Sequence, residues 1–197
     1  MTLAPLDPAV HGAELYSAGH AEPGDPALWR FLPYGPFAAD AFGAWLGTCA
    51  SGDDPLFYAV VVDGEAQGMC AHMRIVPEHG VIEIGHVWFG PRLQRTAAAT
   101  EAILLLAGHA FDDLGYRRLE WKCDAANERS RRAADRFGFT FEGVFRQHML
   151  VKDRNRDTAW YSLLDGEWPE VRAGFEAWLD PANFDDRGLQ RVALRAL

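Results

Sequence analysis

Hydrophobic and polar positions change their period several times along this chain, and each change marks an element. Asp7 followed by Pro8 supplies a cap and a first helical position, so a short helix is expected over Pro8 to Ser17. From Gly19 to Gly35 the pattern has no period; prolines punctuate it, and it holds Trp29, Phe31 and Tyr34. Phe37, Phe42, Trp45 and Leu46 then recur at helical spacing, which predicts a helix over Phe37 to Thr48 with a core-facing stripe. Leu56 to Val62 and Ala66 to Ile75 read as strands joined by the turn Asp63-Gly64. Pro77 to Gly80 turns the chain again into a third antiparallel strand, Val81 to Phe89.

The second half alternates types. A helix from Ala97 to Leu114 stops at Gly115, a left-handed cap position. Arg118 to Cys123 sets Leu119, Trp121 and Cys123 on one face and Glu120 and Lys122 on the other. With a helix between them, this strand should run parallel to Val81–Phe89. A short helix over Glu128 to Phe137 ends at Gly138, and strands over Thr140 to Val151 and Thr158 to Leu164 flank the charged turn Asp153 to Asp157. Glu167 to Leu179 is an amphipathic helix with Trp168, Val171, Phe175 and Trp178 inward. Beyond Pro181 lies a tail bearing Arg187, Arg191 and Arg195. No repeat or long linker divides the 197 residues, so one domain is expected, with a core over about 28–180 and a tail over 181–197.

Composition narrows the classes. The hydrophobic share of 49% and seven tryptophans fit a globular chain. A net charge of -9 argues against general affinity for nucleic acid or anionic membranes. Cys49, Cys70 and Cys123 are too far apart for a chelating pair, so neither a metal nor a disulfide framework is expected. With no signal peptide in the pattern, the expected setting is cytoplasmic.

Chemistry concentrates between Gly80 and Gly138. A strand feeding a small-residue loop and a helix start is a good receptor for a pyrophosphate, because the first helical N–H groups are unpaired donors. Gln94, Arg95, Thr96, Ala97, Ala98, Ala99 and Thr100 form that loop, with Arg92 and Arg95 adding positive charge. Asn127-Glu128-Arg129-Ser130 follows the next strand; a helix cap explains it, and so does a pair that holds ligand amides and presents a hydroxyl to a leaving group. Glu83 lies upstream on the central strand, either as a proton acceptor or as a carboxylate paired with Arg118 or Lys122. His86 is a second base, which strict alternation sets on the opposite face unless a bulge intervenes.

Together these motifs resemble the core of the GNAT acyltransferases, which pass an acetyl group from acetyl-coenzyme A to an amine. The family's loop Arg/Gln-x-x-Gly-x-Gly/Ala is matched at Gln94 and Ala99, with Ala97 in place of the middle glycine. Asn127-x-x-Ser130, Phe137-Gly138-Phe139, Glu142-Gly143, Trp29 with Gly35-Pro36-Phe37, and Arg156 to Ser162 are similar to the Rim-type branch, so the likeness spans roughly residues 28 to 180. That branch includes acetyltransferases of ribosomal-protein N-termini and relatives acting on small amines or aminoacyl nucleotides.

The resemblance implies an α/β (α+β) fold with a mixed, mostly antiparallel sheet splayed at the cofactor site and flanked by helices. It implies that Val87, Trp88 and Phe89 pair with pantetheine amides, that residues 94–100 and Asn127 hold the rest of acetyl-coenzyme A, and that Ser130 serves the departing thiolate. Glu83 is the first candidate base, and Trp29, Tyr34, His86 and Arg146 are the candidates for the acceptor side, Trp121 reading as core. An amine acceptor, no metal, and a permitted but not required homodimer complete the expectations. The other class that fits is a non-catalytic acyl-coenzyme A-binding sensor or scaffold. A P-loop binder does not fit, since Gly-x-x-x-x-Gly-Lys-Ser/Thr is absent.

Overall fold

A computed structural model describes residues 1–20 and 28–194. The elements run β1 (Thr2–Pro5), α1 (Pro8–His20), α2 (Ala39–Ala50), β2 (Leu56–Val62), β3 (Glu65–Val76), β4 (Val81–Phe89), α3 (Ala97–Gly108), β5 (Arg118–Asp124), α4 (Glu128–Arg136), β6 (Thr140–Val151), β7 (Arg154–Leu164) and α5 (Trp168–Leu179). Seven strands form one sheet in the order β1-β2-β3-β4-β5-β7-β6. Every pairing is antiparallel except β4 with β5, which the helical crossover makes parallel.

Alternation on the strands gives the sheet two unlike faces. One carries Val60, Cys70, Ile82, Ile84, Leu119, Trp121 and Tyr161 into a core shared with α3 and α5. The other carries Ala59, Met69 and Trp88 against α1 and α2, where Leu15, Phe42 and Leu46 are buried. Across β4, β5 and β7 this second face is polar rather than helix-covered, and that is where the site lies.

Beyond shifts of up to three residues at the ends of α1, α2, β3, β5, α4 and α5, the structure departs from the sequence reading at three places. The strand β1 was not expected; it is four residues long and pairs with β2. The helix α3 ends at Gly108, and the chain continues over His109–Asp113 with π-helical spacing. His72 Nε2 lies 3.1 Å from the Leu106 carbonyl, which an ordinary next turn would use, so the ladder widens there. The strand β7 begins at Arg154, because the β6–β7 turn is the two-residue Lys152-Asp153 with φ of 50° and 59°. The tail is ordered through Leu194: Phe184 bridges Gln190, and Trp178 donates to Gln190 at 2.8 Å. Pro23, Pro26 and Arg195 lie outside the described residues.

Candidate active site

The centre of the sheet opens at one point. β4 pairs with β5 only from Val81↔Arg118 to Ile84↔Trp121, and from Lys122 onward β5 pairs with β7 alone. On its other side β4 slips against β3. Ala71 faces Gly85 and Met69 faces Trp88, so His86 and Val87 together oppose Cys70. This bulge takes the 86–87 backbone out of the ladder beside the opening, where its N–H groups are placed to serve a ligand. His86 has φ of 51°, a region that histidine enters more readily than most side chains.

The bulge also re-aims His86. Strict alternation would set it opposite Glu83, but its ring stacks on Tyr34 (centroids 5.6 Å, 12°) and lies 5.0 Å from Phe57. Phe57 is opposite Ala71, and Ala71 is opposite Gly85, two residues from Glu83, so all these share one face. Tyr34 Oη is 3.1 Å from His86 Nδ1. Burial pulls the imidazole below its ordinary value, so it is neutral at pH 7. The phenol is pushed up by burial, then by the Cys49 thiol nearby, and keeps its proton.

Glu83 is 5% exposed and ion-paired. Lys122 Nζ is 2.5 Å from its Oε2, without the alignment of a hydrogen bond, and Arg74 Nε is 3.4 Å away. Burial raises the carboxyl above the usual range, opposed by Lys122 and Arg74 and reinforced by Glu120. Between the two partners left open by the sequence, the structure selects Lys122. Arg118 goes instead to Glu120 at 2.9 Å and, bidentately, to Glu142 at 2.8 and 2.6 Å. Lys122 also lies 4.1 Å from the Trp160 ring centre, and Trp160 Nε1 is buried with no acceptor among the described residues.

Below the opening, Thr96 caps α3 by accepting from the Ala99 N–H at 3.2 Å. Gln94 donates to the Phe89 carbonyl at 2.8 Å and folds the loop back against β4. Ala97 is exposed, Ala98 half-buried, and neither has a positive φ, so alanine fits the turn where the family motif has glycine. The loop therefore suits a pyrophosphate, with first-turn N–H groups and Arg95, which has no ion pair among the described residues. Arg92 pairs with Glu65 at 2.5 Å. Thr100 departs from its expected place: it is 3% exposed, and its hydroxyl accepts from Arg136 at 3.1 Å, tying α3 to α4.

Asn127 caps α4, accepting from the Ser130 N–H at 3.2 Å. The Ser130 oxygen accepts from Trp121 Nε1 at 3.0 Å, and its hydroxyl also lies against the Cys123 thiol. Trp121 is core at 6% exposed. Two acceptor-side expectations need correction. Trp29 is 2% exposed; its indole donates to the Gly19 carbonyl at 3.0 Å, and it packs on Trp88 and Tyr34, so it supports the pocket without lining it. Arg146 is exposed on the outermost strand beside Asp157, three strands from β4.

Lys152 was missed by the sequence reading. From the β6–β7 turn its Nζ reaches the carbonyls of Trp29 and Gly35, each at 2.8 Å, and closes the polar face from above. No local signal announces a contact between segments so far apart.

The model of the Acetyltransferase (GNAT) domain matches residues 1–140. A structure of a GCN5-related N-acetyltransferase from Brucella melitensis superposes with a TM-score of 0.95 at 49% identity, covering 98% of this chain and 88% of that one. A GNAT-family protein from Chromobacterium violaceum ATCC 12472 gives a TM-score of 0.79 at 50% identity, covering 85% and 84%. The Bacillus subtilis (strain 168) protein named "Putative ribosomal N-acetyltransferase YdaF" is 28% identical over 145 residues, 71% of this chain and 78% of that protein. The chain belongs to the GNAT acetyltransferase family.

Proposed function

We propose that the protein acetylates a primary amine, either a protein N-terminus or a small molecule such as an aminoacyl nucleotide, by direct attack on the thioester in a ternary complex. The observation that supports this most is the opening between β4 and β5 with the 86–87 bulge at its apex. Acetyl-coenzyme A supplies the activated acyl group. The backbone of Val87, Trp88 and Phe89 and the α3 start at 94–99 hold its amides and phosphates, and Asn127 frames the other wall.

A backbone N–H at Val87 or Trp88 faces the carbonyl oxygen as charge develops on it, a contribution of about 3 kcal/mol for one good donor. Ser130 donates its hydroxyl proton in a hydrogen bond to the sulfur. The amine arrives on the polar face, between Tyr34, His86 and the buried carboxylate of Glu83. Placing amine and thioester together supplies much of the acceleration. Three buried, unpaired thiols suit a reducing, cytoplasmic setting.

The test is thiol release from acetyl-coenzyme A with N-terminal peptides, polyamines, amino acids and aminoacyl nucleotides, against a control without acceptor. Acceptor-dependent release supports the reading and ranks the acceptor classes. Tight coenzyme binding with no release on any amine would instead favour a non-catalytic acyl-coenzyme A sensor.

A further inference from the structure

We propose that the imidazole of His86, presented by the β4 bulge and held at Nδ1 by the Tyr34 hydroxyl, takes the proton from the acceptor amine. This rests on the amine-acetylation reading above. Two groups on the acceptor face compete for the role. A proton on Glu83 would leave Lys122, itself 7% exposed at the side chain, a buried cation whose remaining carboxylate is Glu120 at 3.5 Å. Glu83 is held by two cations, Lys122 and Arg74, at 5% exposure. His86 has no ion-pair partner among the described residues. It stands at the mouth of the opening, and its Nε2 has no partner among the described residues.

Tyr34 makes this nitrogen useful. In the tautomer with the proton on Nδ1, that N–H donates to Tyr34 Oη and Nε2 is a free acceptor. After proton uptake the Nδ1–H bond persists, so the phenol oxygen faces the new positive charge. Stacking of the two rings and the Phe57 contact fix the ring plane. The titratable group set against His86 is Tyr34 from the segment before α2, with Cys49 from α2 beside that phenol; Arg74 from β3 and Lys122 from β5 stand on Glu83 of its own strand.

The step balances. The amine nitrogen forms a bond to the acetyl carbonyl carbon, one N–H proton passes to Nε2, and the C–S bond breaks. The sulfur leaves with the bonding pair and takes up one proton, giving amide, free thiol and, after exchange with solvent, neutral His86.

The experiment is the pH dependence of kcat/KM with two acceptors whose amine pKa values differ, on wild type and His86→Asn, asparagine being chosen to tolerate the positive φ. Coenzyme binding and melting temperature report whether the variant folds. In wild type, one ascending limb follows the acceptor, and a second, below the ordinary imidazole value of about 6.5, is common to both acceptors. His86→Asn should lose the common limb and about 10²-fold in kcat while binding coenzyme normally. Tyr34→Phe, which keeps the ring but removes Oη, should displace that limb and lower kcat about tenfold with KM little changed. An NMR titration of the His86 ring in the intact protein should give the same midpoint. A folded His86→Asn enzyme that keeps its rate or the common limb overturns the proposal alone. Wild type without acceptor-dependent release overturns both this and the function it rests on.

Discussion

The two halves of β4 obey different rules. Residues 81–84 lie between β3 and β5, with the one irregularity there borne by β3 at Arg74–Ile75, and send Ile82 and Ile84 into the core at 1% and 2% exposure. Residues 85–89 are paired on one side only, carry a bulge, and place His86 on the face that alternation denies it. The first half fixes the strand; the second, freed from β5, has backbone and side chain to offer a ligand.

Deleting His86 is the harshest test of that contrast. The deletion removes the extra residue and restores a regular ladder, with Val87 opposing Cys70 and Trp88 still opposing Met69, so the freed 86–87 backbone is lost. We expect loss of coenzyme binding and a destabilisation within the about 0.5–3 kcal/mol of an ordinary single change, since Trp88 keeps its place. Chemical denaturation and a coenzyme titration would read both, and unchanged binding would show that the bulge is dispensable.

The first half should break differently. Lys122→Met leaves buried Glu83 with only the more distant Arg74 among the described residues and should lower stability by up to about 3–5 kcal/mol. Glu83→Gln added to it should recover much of that loss, which a double-mutant cycle measures. If Lys122→Met is neutral, the ion pair does not hold this region together.

A third test concerns the apolar face. Burial pushes His72 down to about 4, so the unfolded chain, near 6.5, takes the proton first. The stability it contributes is complete above about pH 6.5 and drains away as pH falls towards 4, by roughly 3 kcal/mol in all. Urea midpoints between pH 7 and 4 should fall steeply in wild type and more gently in His72→Gln. The mildest change is Ser130→Ala, which leaves the Trp121 N–H without an acceptor. It should cost about 1–2 kcal/mol of stability. Turnover should fall by less than tenfold if the thiolate leaves readily unaided.

The same contrast explains what the sequence allowed to be read. Periodic elements with one buried face were legible: β2, β4 and β6 have the expected ends, and the parallel β4–β5 pair follows from the helix between them. The helix starts capped by Thr96 and Asn127 were legible because their spacing is local. β1 was not, being four residues ending in Pro5 with no period to count. The start of β7 was misplaced because β6 and the first residues of β7 are exposed, so polarity carries no information about pairing there. His86's true face, Lys122 as the partner of Glu83, and the Lys152 contact all depend on a register slip or on distant segments meeting.

The Lys152 contact bears on how the molecule assembles. Its ammonium joins carbonyls 123 and 117 positions away, among the widest sequence separations in the structure. Contacts of that span form only after most loop-closure entropy has been lost, so the roof of the acceptor face should be among the last parts to settle during folding. A chain can then have a finished core and a coenzyme cleft before it has an acceptor site. In refolding experiments, coenzyme binding should return ahead of turnover.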